Sequence, residues 1–365
     1  MSTVDLLSIN LLLLPLQPDR CEYVLSIIMA QYNWRHSTKK KGVSNNTAYE
    51  RARLYRWLFT YLRDETEKQY KLDPRSFSGR HVDALMAYWS DRAIEGTIRP
   101  ATIQAYYSHV KTFTRWIGKP ALMKPIGAYF PSRAYFTRIY SATSDKSWRA
   151  AGVDVETIIQ KVEAYDARAA ASLRLMRAFG LRFKESVMLR PHVDVVTAAQ
   201  AGKSGGPDVL YLDTHRGTKG GRRRYMPIES DAARIAVDYA RSVTRRPEDS
   251  VSDPSLTLVK AIRRLRYVME CFKLTKKDLG VTPHGLRHQF AGEAYAEITG
   301  VAPPVAGGRL EDKEMDEVAR LRVSELLGHG RKQITNAYLG QSVVMRSKVC
   351  GGPASGRETP CSTST

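Results

Sequence analysis

The sequence predicts a mainly α-helical chain with one small β-hairpin or sheet, an α+β fold, organised in two domains. Three observations carry this. Apolar residues recur at helical spacing over most of residues 45–340; strand-like alternation is confined to 208–228; and 118-GKPALMKPIGAYFPSR-133, rich in Gly and Pro and without helical period, splits the helices into two groups. The chain's 365 residues suffice for two domains of ordinary size, and 43% apolar content can supply a packed core.

Residues 1–44 read as an irregular N-terminal segment ending in a basic linker. The apolar run 6-LLSINLLLLPLQP-18 is interrupted by Asn10 and Pro15, has no basic residues before it and is too short to span a bilayer. A docking helix or a misplaced start codon is expected there rather than a signal peptide. No membrane partner is expected, and a cytoplasmic location is. After Asn46 a helix carries Leu54, Trp57, Leu58, Tyr61 and Leu62 on one face, with Arg51, Arg53, Arg56 and Arg63 on the other. A second helix repeats the spacing with Val82, Leu85, Met86 and Trp89. Pro100 opens a third, whose buried side is Ile103, Tyr106, Val110, Phe113 and Ile117. Residues 45–120 are therefore one small helical domain, and its aromatics, sharing the helical stripe, read as core rather than base-stacking groups. Residues 121–150 read as a linker.

The second domain is expected over 151–348. The run 166-DARAAASLRLMRAFG-180 is a helix closed by Gly180. Residues 208-DVLYLDT-214 and 222-RRRYMPI-228 alternate like strands around the Gly-rich connection 215-HRGTKGG-221. Ser230 can cap a further helix, and 255–273 shows a buried stripe of Leu258, Ile262, Leu265, Met269 and Phe272. Thr282 and Pro283 start another. A loop or insertion covers 299–316, a helix then runs to about Leu327 and stops at Gly328, and a short helix follows over 331–339. The tail 349–365 is small, polar and expected to be disordered.

Lys and Arg number 57 against 37 acidic residues, a net charge of +20, and they cluster in 216-RGTKGGRRR-224, 241-RSVTRR-246, 260-KAIRRLR-266 and 273-KLTKK-277. Such an excess says nothing about fold but favours a polyanionic partner; its spread over several elements suits the long track of a nucleic acid. The four cysteines, at 21, 271, 350 and 361, lack ligand spacing and read as reduced thiols.

The stretch 281-VTPHGLRHQFAGEAY-295 places His284, Arg287 and His288 on one helix. A zincin-type metal site would need Glu after the first histidine, where Gly285 stands, and Arg287 between the ligands would repel a divalent cation. No metal is expected. A phosphate site fits better, since residues three apart share a face and a guanidinium holds two phosphate oxygens at once. Further donors follow along the domain: Arg182 in 180-GLRFKES-186, Lys219 in the hairpin, His329 in 325-ELLGHG-330, and Tyr338 nine residues later. Glu185 reads as a partner that orients an arginine, and His288 as a buried, hydrogen-bonded histidine. For Lys219, an arginine of the same hairpin (216, 222, 223 or 224) is the alternative.

In this order and context the residues resemble the tyrosine recombinases, the phage-integrase family, over most of the chain. The resemblance implies a helical, SAM-like core-binding domain and a catalytic domain that form a C-shaped clamp on DNA. It implies that Tyr338 attacks a scissile phosphate to give a 3′-phosphotyrosyl link and a free 5′-hydroxyl. Arg182, Arg287 and His329 would hold the non-bridging oxygens, His284 would accept a proton or add a donor, and Lys219 would protonate the leaving oxygen. No metal, ATP or other cofactor is implied. The implied partners are double-stranded DNA and a homo-tetramer on two duplexes; an accessory DNA-bending or directionality factor is left open.

Two features depart from the family's pattern. Forty-two positions separate Arg287 from His329, which is long, and the excess in 299–316 reads as a surface elaboration. The chain after Tyr338 is short for a helix exchanged between subunits. Within the family, an integrase of a mobile element is favoured over a dimer resolvase or an inversion switch. The rivals outside it are a type IB topoisomerase and a catalytically silent DNA-binding regulator on the same scaffold.

Overall fold

The computed structural model describes residues 15–36, 39–65 and 72–341. The expectations for the apolar run before 15 and for the tail from 349 lie outside the described residues. The chain divides into two compact units, 1–139 and 140–365. Among the described residues no helix is long and apolar enough to cross a membrane.

The first unit is helical: α1 (Cys21–Tyr32), α2 (Asn45–Asp64), α3 (Gly79–Ile94) and α4 (Pro100–Trp116). Its core takes Leu54, Leu58 and Leu62 from α2, Val82, Leu85, Met86 and Trp89 from α3, and Ile103, Val110 and Phe113 from α4. Part of the stretch expected to be irregular is in fact ordered here. The stripe Val24, Leu25, Ile28 and Met29 makes α1 amphipathic and buries it in the same core. Arg51, expected on the polar face of α2, is buried as well. Its guanidinium donates to the carbonyls of Asn33 (3.4 Å) and Arg35 (3.1 Å) and lies 5.7 Å from the Trp116 ring centroid. Two backbone carbonyls and a ring offset the cost of burying that charge.

The stretch read as a linker contributes to both cores. It runs as short 3₁₀ turns at Pro120–Leu122, Ile126–Ala128 and Arg133–Tyr135. Phe130 packs into the first core and Trp148 into the second.

The second unit begins with α5 (Val155–Tyr165), α6 (Ala167–Phe179) and α7 (Phe183–Met188). A three-stranded antiparallel sheet follows, β1 (Val195–Thr197), β2 (Leu210–Thr214) and β3 (Arg224–Pro227), in the order β1-β2-β3, with a short α8 (Ala198–Ala201) after β1. The hairpin sets Leu212 opposite Met226, and β1 sets Val196 opposite Tyr211. The sequence reading lacked β1, because three residues are too few to display alternation. Five helices complete the unit: α9 (Asp231–Ser242), α10 (Leu258–Cys271), α11 (Pro283–Thr299), α12 (Lys313–Leu326) and α13 (Asn336–Leu339). Ser230 caps α9 through a bond from the Ala233 N–H, as its position predicts.

The insertion does not stand off the surface. A 3₁₀ turn at Pro304–Ala306 lies against the C-terminal turn: a Cβ on Gly340 would come 3.0 Å from the Val305 nitrogen. Leu310 packs on the cluster of Ala291, Tyr295, Ala319, Val323, Leu327, Tyr338 and Leu339.

Candidate active site

Helix α11 supplies the centre, and its approach to the rest of the domain depends on a missing side chain. At Gly285 a Cβ would stand 2.6 Å from Trp148 Cδ1 and 2.7 Å from the Lys146 carbonyl. Trp148 is fully buried and its indole N–H donates to the Thr282 carbonyl at 2.7 Å, just before the helix starts. That contact sets the height of His284, Arg287 and His288.

Arg287 is 0% exposed. Nη1 donates to the Gly180 carbonyl (2.5 Å), Nη2 to the Leu327 carbonyl (2.6 Å), and Nε to the phenol oxygen of Tyr338 (3.2 Å); Nη2 also lies 3.4 Å from Nε2 of His329. Gly180 can aim its carbonyl this way because it closes α6 at φ +56°, where a Cβ would also collide with Phe290 at 2.5 Å. Carbonyls, a phenol and an imidazole surround the guanidinium, with no carboxylate among its hydrogen-bond partners in the described residues. Burial therefore pushes even this group down, to about 10, and the nearby Arg182 and Arg224 charges add to the push.

A second layer of cations shares one carboxylate. Arg182 stands at the entry of α7, its backbone N–H donating to Glu185 Oε2 (2.8 Å) and its guanidinium to Oε1 (2.6 Å). Arg224 of β3 donates to Oε2 of the same residue at 2.7 Å. Glu185 is 1% exposed, and burial alone would raise its carboxyl. The Arg224 bond and the two positive charges outweigh burial and bring it to about 2. Glu185 is thus the orienting partner its motif suggests.

Tyr338, 7% exposed, is ringed by imidazoles: His288 at 4.8 Å between ring centroids, His284 and His329 at 5.7 Å each. Burial pushes His329 down to about 3, reinforced by Arg287, Arg182, Arg224 and Arg222. His288 is pushed to about 3, again by burial and then by His284. Burial and Arg287 lower His284 in the same direction, although the residue as a whole is exposed. The buried His288 and His329 rings are thus held toward the uncharged form at neutral pH. The expectation that His288 is hydrogen-bonded holds only in part: it is buried, yet among the described residues its Nδ1 has no partner.

Five of the six residues singled out from sequence, Arg182, His284, Arg287, His329 and Tyr338, thus come together. Lys219 does not join them. It lies exposed in the 3₁₀ turn Lys219–Gly221 between β2 and β3, and among the described residues it makes no hydrogen bond or ion pair. The sequence reading missed Arg224 as a buried member of the cluster. Its signal was the two-residue period of β3, which buries Arg224, Met226 and Ile228 together. Gly328, at φ +66°, gives it room, since a Cβ there would meet Arg224 Cδ at 2.9 Å. Among the described residues no three His, Cys, Asp or Glu side chains form a metal-binding group.

A family model described as integrase matches residues 140–293. Of solved structures, a lambda integrase(75-356) dimer bound to a COC′ core site is similar at 13% identity and a TM-score of 0.54, covering 91% of this chain and 98% of that one. A lambda integrase dimer bound to a COC′ core site matches at 14% identity and a TM-score of 0.51, covering 86% and 76%. No curated protein sequence matches the chain. The chain thus shares the fold of the lambda integrase structures, and the family model described as integrase covers the segment that contains Arg182, Arg287 and the strands between them.

Proposed function

We propose that the protein is a site-specific DNA recombinase that cuts and rejoins strands through Tyr338, as the integrase of a mobile element. The observation that carries this reading is the Arg287–Tyr338 pair: a fully buried guanidinium without a carboxylate partner, its Nε on the phenol oxygen. A buried cation so arranged is complementary to an anion that enters the site.

A phosphodiester placed at Tyr338 meets Arg287 and Arg182, with His329 as a neutral donor. The phenol attacks phosphorus, its proton passes to His284, and the 3′-phosphotyrosyl bond replaces the bond to the 5′-oxygen. Lys219, on its hairpin, protonates that leaving oxygen once DNA draws the turn toward the site. The phosphotyrosine conserves the energy of the broken bond, so a 5′-hydroxyl of another strand can reverse the step without ATP. Four protomers on two duplexes would complete recombination.

Covalent trapping tests the reading. Duplexes from the flanks of the protein's own gene, nicked so that the released strand diffuses away, are expected to give an adduct that survives a denaturing gel. Tyr338→Phe is expected to bind the same DNA without forming one. Tight binding without any adduct from the unaltered chain would leave a DNA-binding regulator instead, and relaxation of supercoils with no site requirement would leave a topoisomerase.

A further inference from the structure

Tyr338 is carried by α13, a helix of four residues that cannot hold itself in place. Its anchor is Arg320 of α12, 6% exposed, whose Nη1 reaches both ends of α13. It donates to the side-chain oxygen of Asn336, the first residue, at 2.9 Å, and to the carbonyl of Gly340, just past the last, at 3.0 Å. Its Nε donates to both oxygens of Asp316, at 3.0 and 2.8 Å. Asp316 in turn accepts from the phenol of Tyr295 at 2.6 Å. Tyr295 is fully buried on α11, the helix that also bears His284 and Arg287. One chain of bonds thus ties the turn holding Tyr338 to the helix holding Arg287. The insertion closes the other side, with Val305 against Gly340 and Leu310 against the Tyr338 cluster.

We propose that Arg320 is the positioning residue of the nucleophile: its planar fork, indexed to α11 through Asp316 and Tyr295, sets where the Tyr338 oxygen stands relative to Arg287. This rests on Tyr338 being the nucleophile. It also gives the long insertion a task, since 303–310 and Arg320 grip the same turn within one protomer. Lysine in place of Arg320 keeps the charge and the Asp316 pair, but a single ammonium cannot also span Asn336 and Gly340 in that geometry.

The test uses Arg320→Lys and Arg320→Met in the full chain. Adduct formation on the nicked flank duplexes is measured at saturating protein, and 3-fluorotyrosine placed at 338 is followed by ¹⁹F NMR in the free protein. DNA affinity is expected to stay unchanged while the adduct rate drops about ten- to a hundredfold in both variants, as small misplacements of a reacting group do. The fluorine line is expected to sharpen and move toward that of a solvent-exposed tyrosine, and added guanidinium to recover part of the rate of Arg320→Met. Arg320→Lys with the parent's rate and the parent's fluorine line would overturn the proposal. Should Arg320→Met fail to fold, Asn336→Ala, which removes one end of the grip, takes its place with the same two readouts. If the unaltered chain forms no adduct, the nucleophile reading fails, and the fluorine line alone decides whether Arg320 holds α13.

Discussion

At the scale of single residues the site is governed by burial without neutralisation. Arg287 has three hydrogen-bonding directions and each is used: Nε on Tyr338, Nη1 on Gly180, Nη2 on Leu327. A lysine carries its three donors on one nitrogen and cannot reach all three partners where they stand. Arg287→Lys is therefore expected to cut the adduct rate by about 10²–10³ at saturating DNA, the range seen when one positioned donor to a developing charge is removed, with much less effect on affinity. The histidines give a second expectation. His288 and His329 titrate near 6.5 when unperturbed and near 3 in the folded protein. Between those values the unfolded chain binds more protons, so the stability these groups contribute is complete above pH 6.5 and is lost as pH falls toward 3. Melting temperature should fall steadily from pH 7 to pH 4, and His288→Asn should flatten the slope. A profile whose slope is unchanged by that substitution would show that His288 does not set it.

At the scale of elements, close approach is what brings the groups together, and glycines permit it. Gly285→Ala would drive a methyl group into Trp148 and the Lys146 carbonyl. It is expected to cost about 1–3 kcal/mol of stability, the usual range for overpacking, and to displace His284 and Arg287 with the helix. Urea unfolding followed by Trp fluorescence measures the first effect, the adduct rate the second. How far such features were legible in the sequence depended on their length. The stripes of α2, α3 and α4 and the Thr282–Pro283 start of α11 are strong local signals, and these elements stand where the pattern placed them. The three-residue β1 carries no period of its own and exists because Tyr211 of β2 offers it an edge. Helix α1 does carry a readable stripe, Val24, Leu25, Ile28 and Met29, but it directly follows an apolar run without helical period that masks its start. Arg182, Arg287, His329 and Tyr338 were visible through their order along the chain. Arg224 was not, because a basic cluster in a sequence reads as surface; the period of β3 separates it from Arg223, but Arg222, two positions away and just outside the strand, is exposed against that period.

At the scale of the whole molecule the basic excess is divided evenly. Residues 1–139 hold 21 Lys and Arg against 11 Asp and Glu, and residues 140–365 hold 36 against 26, so each unit carries an excess of ten. The two units also have separate apolar cores. If only the unit bearing Tyr338 gripped DNA, the excess on the other would have no partner to meet. An even division is what a protein needs when both units neutralise phosphates. The salt dependence of binding reads this directly, since log K falls with log salt by about 0.9 for each phosphate neutralised on a duplex. The full chain is expected to show a slope about twice that of residues 140–365 expressed alone, measured by fluorescence anisotropy on one duplex across a series of salt concentrations. Equal slopes would mean that the first unit adds no phosphate contacts, and its basic excess would then have to be assigned to something other than the DNA backbone.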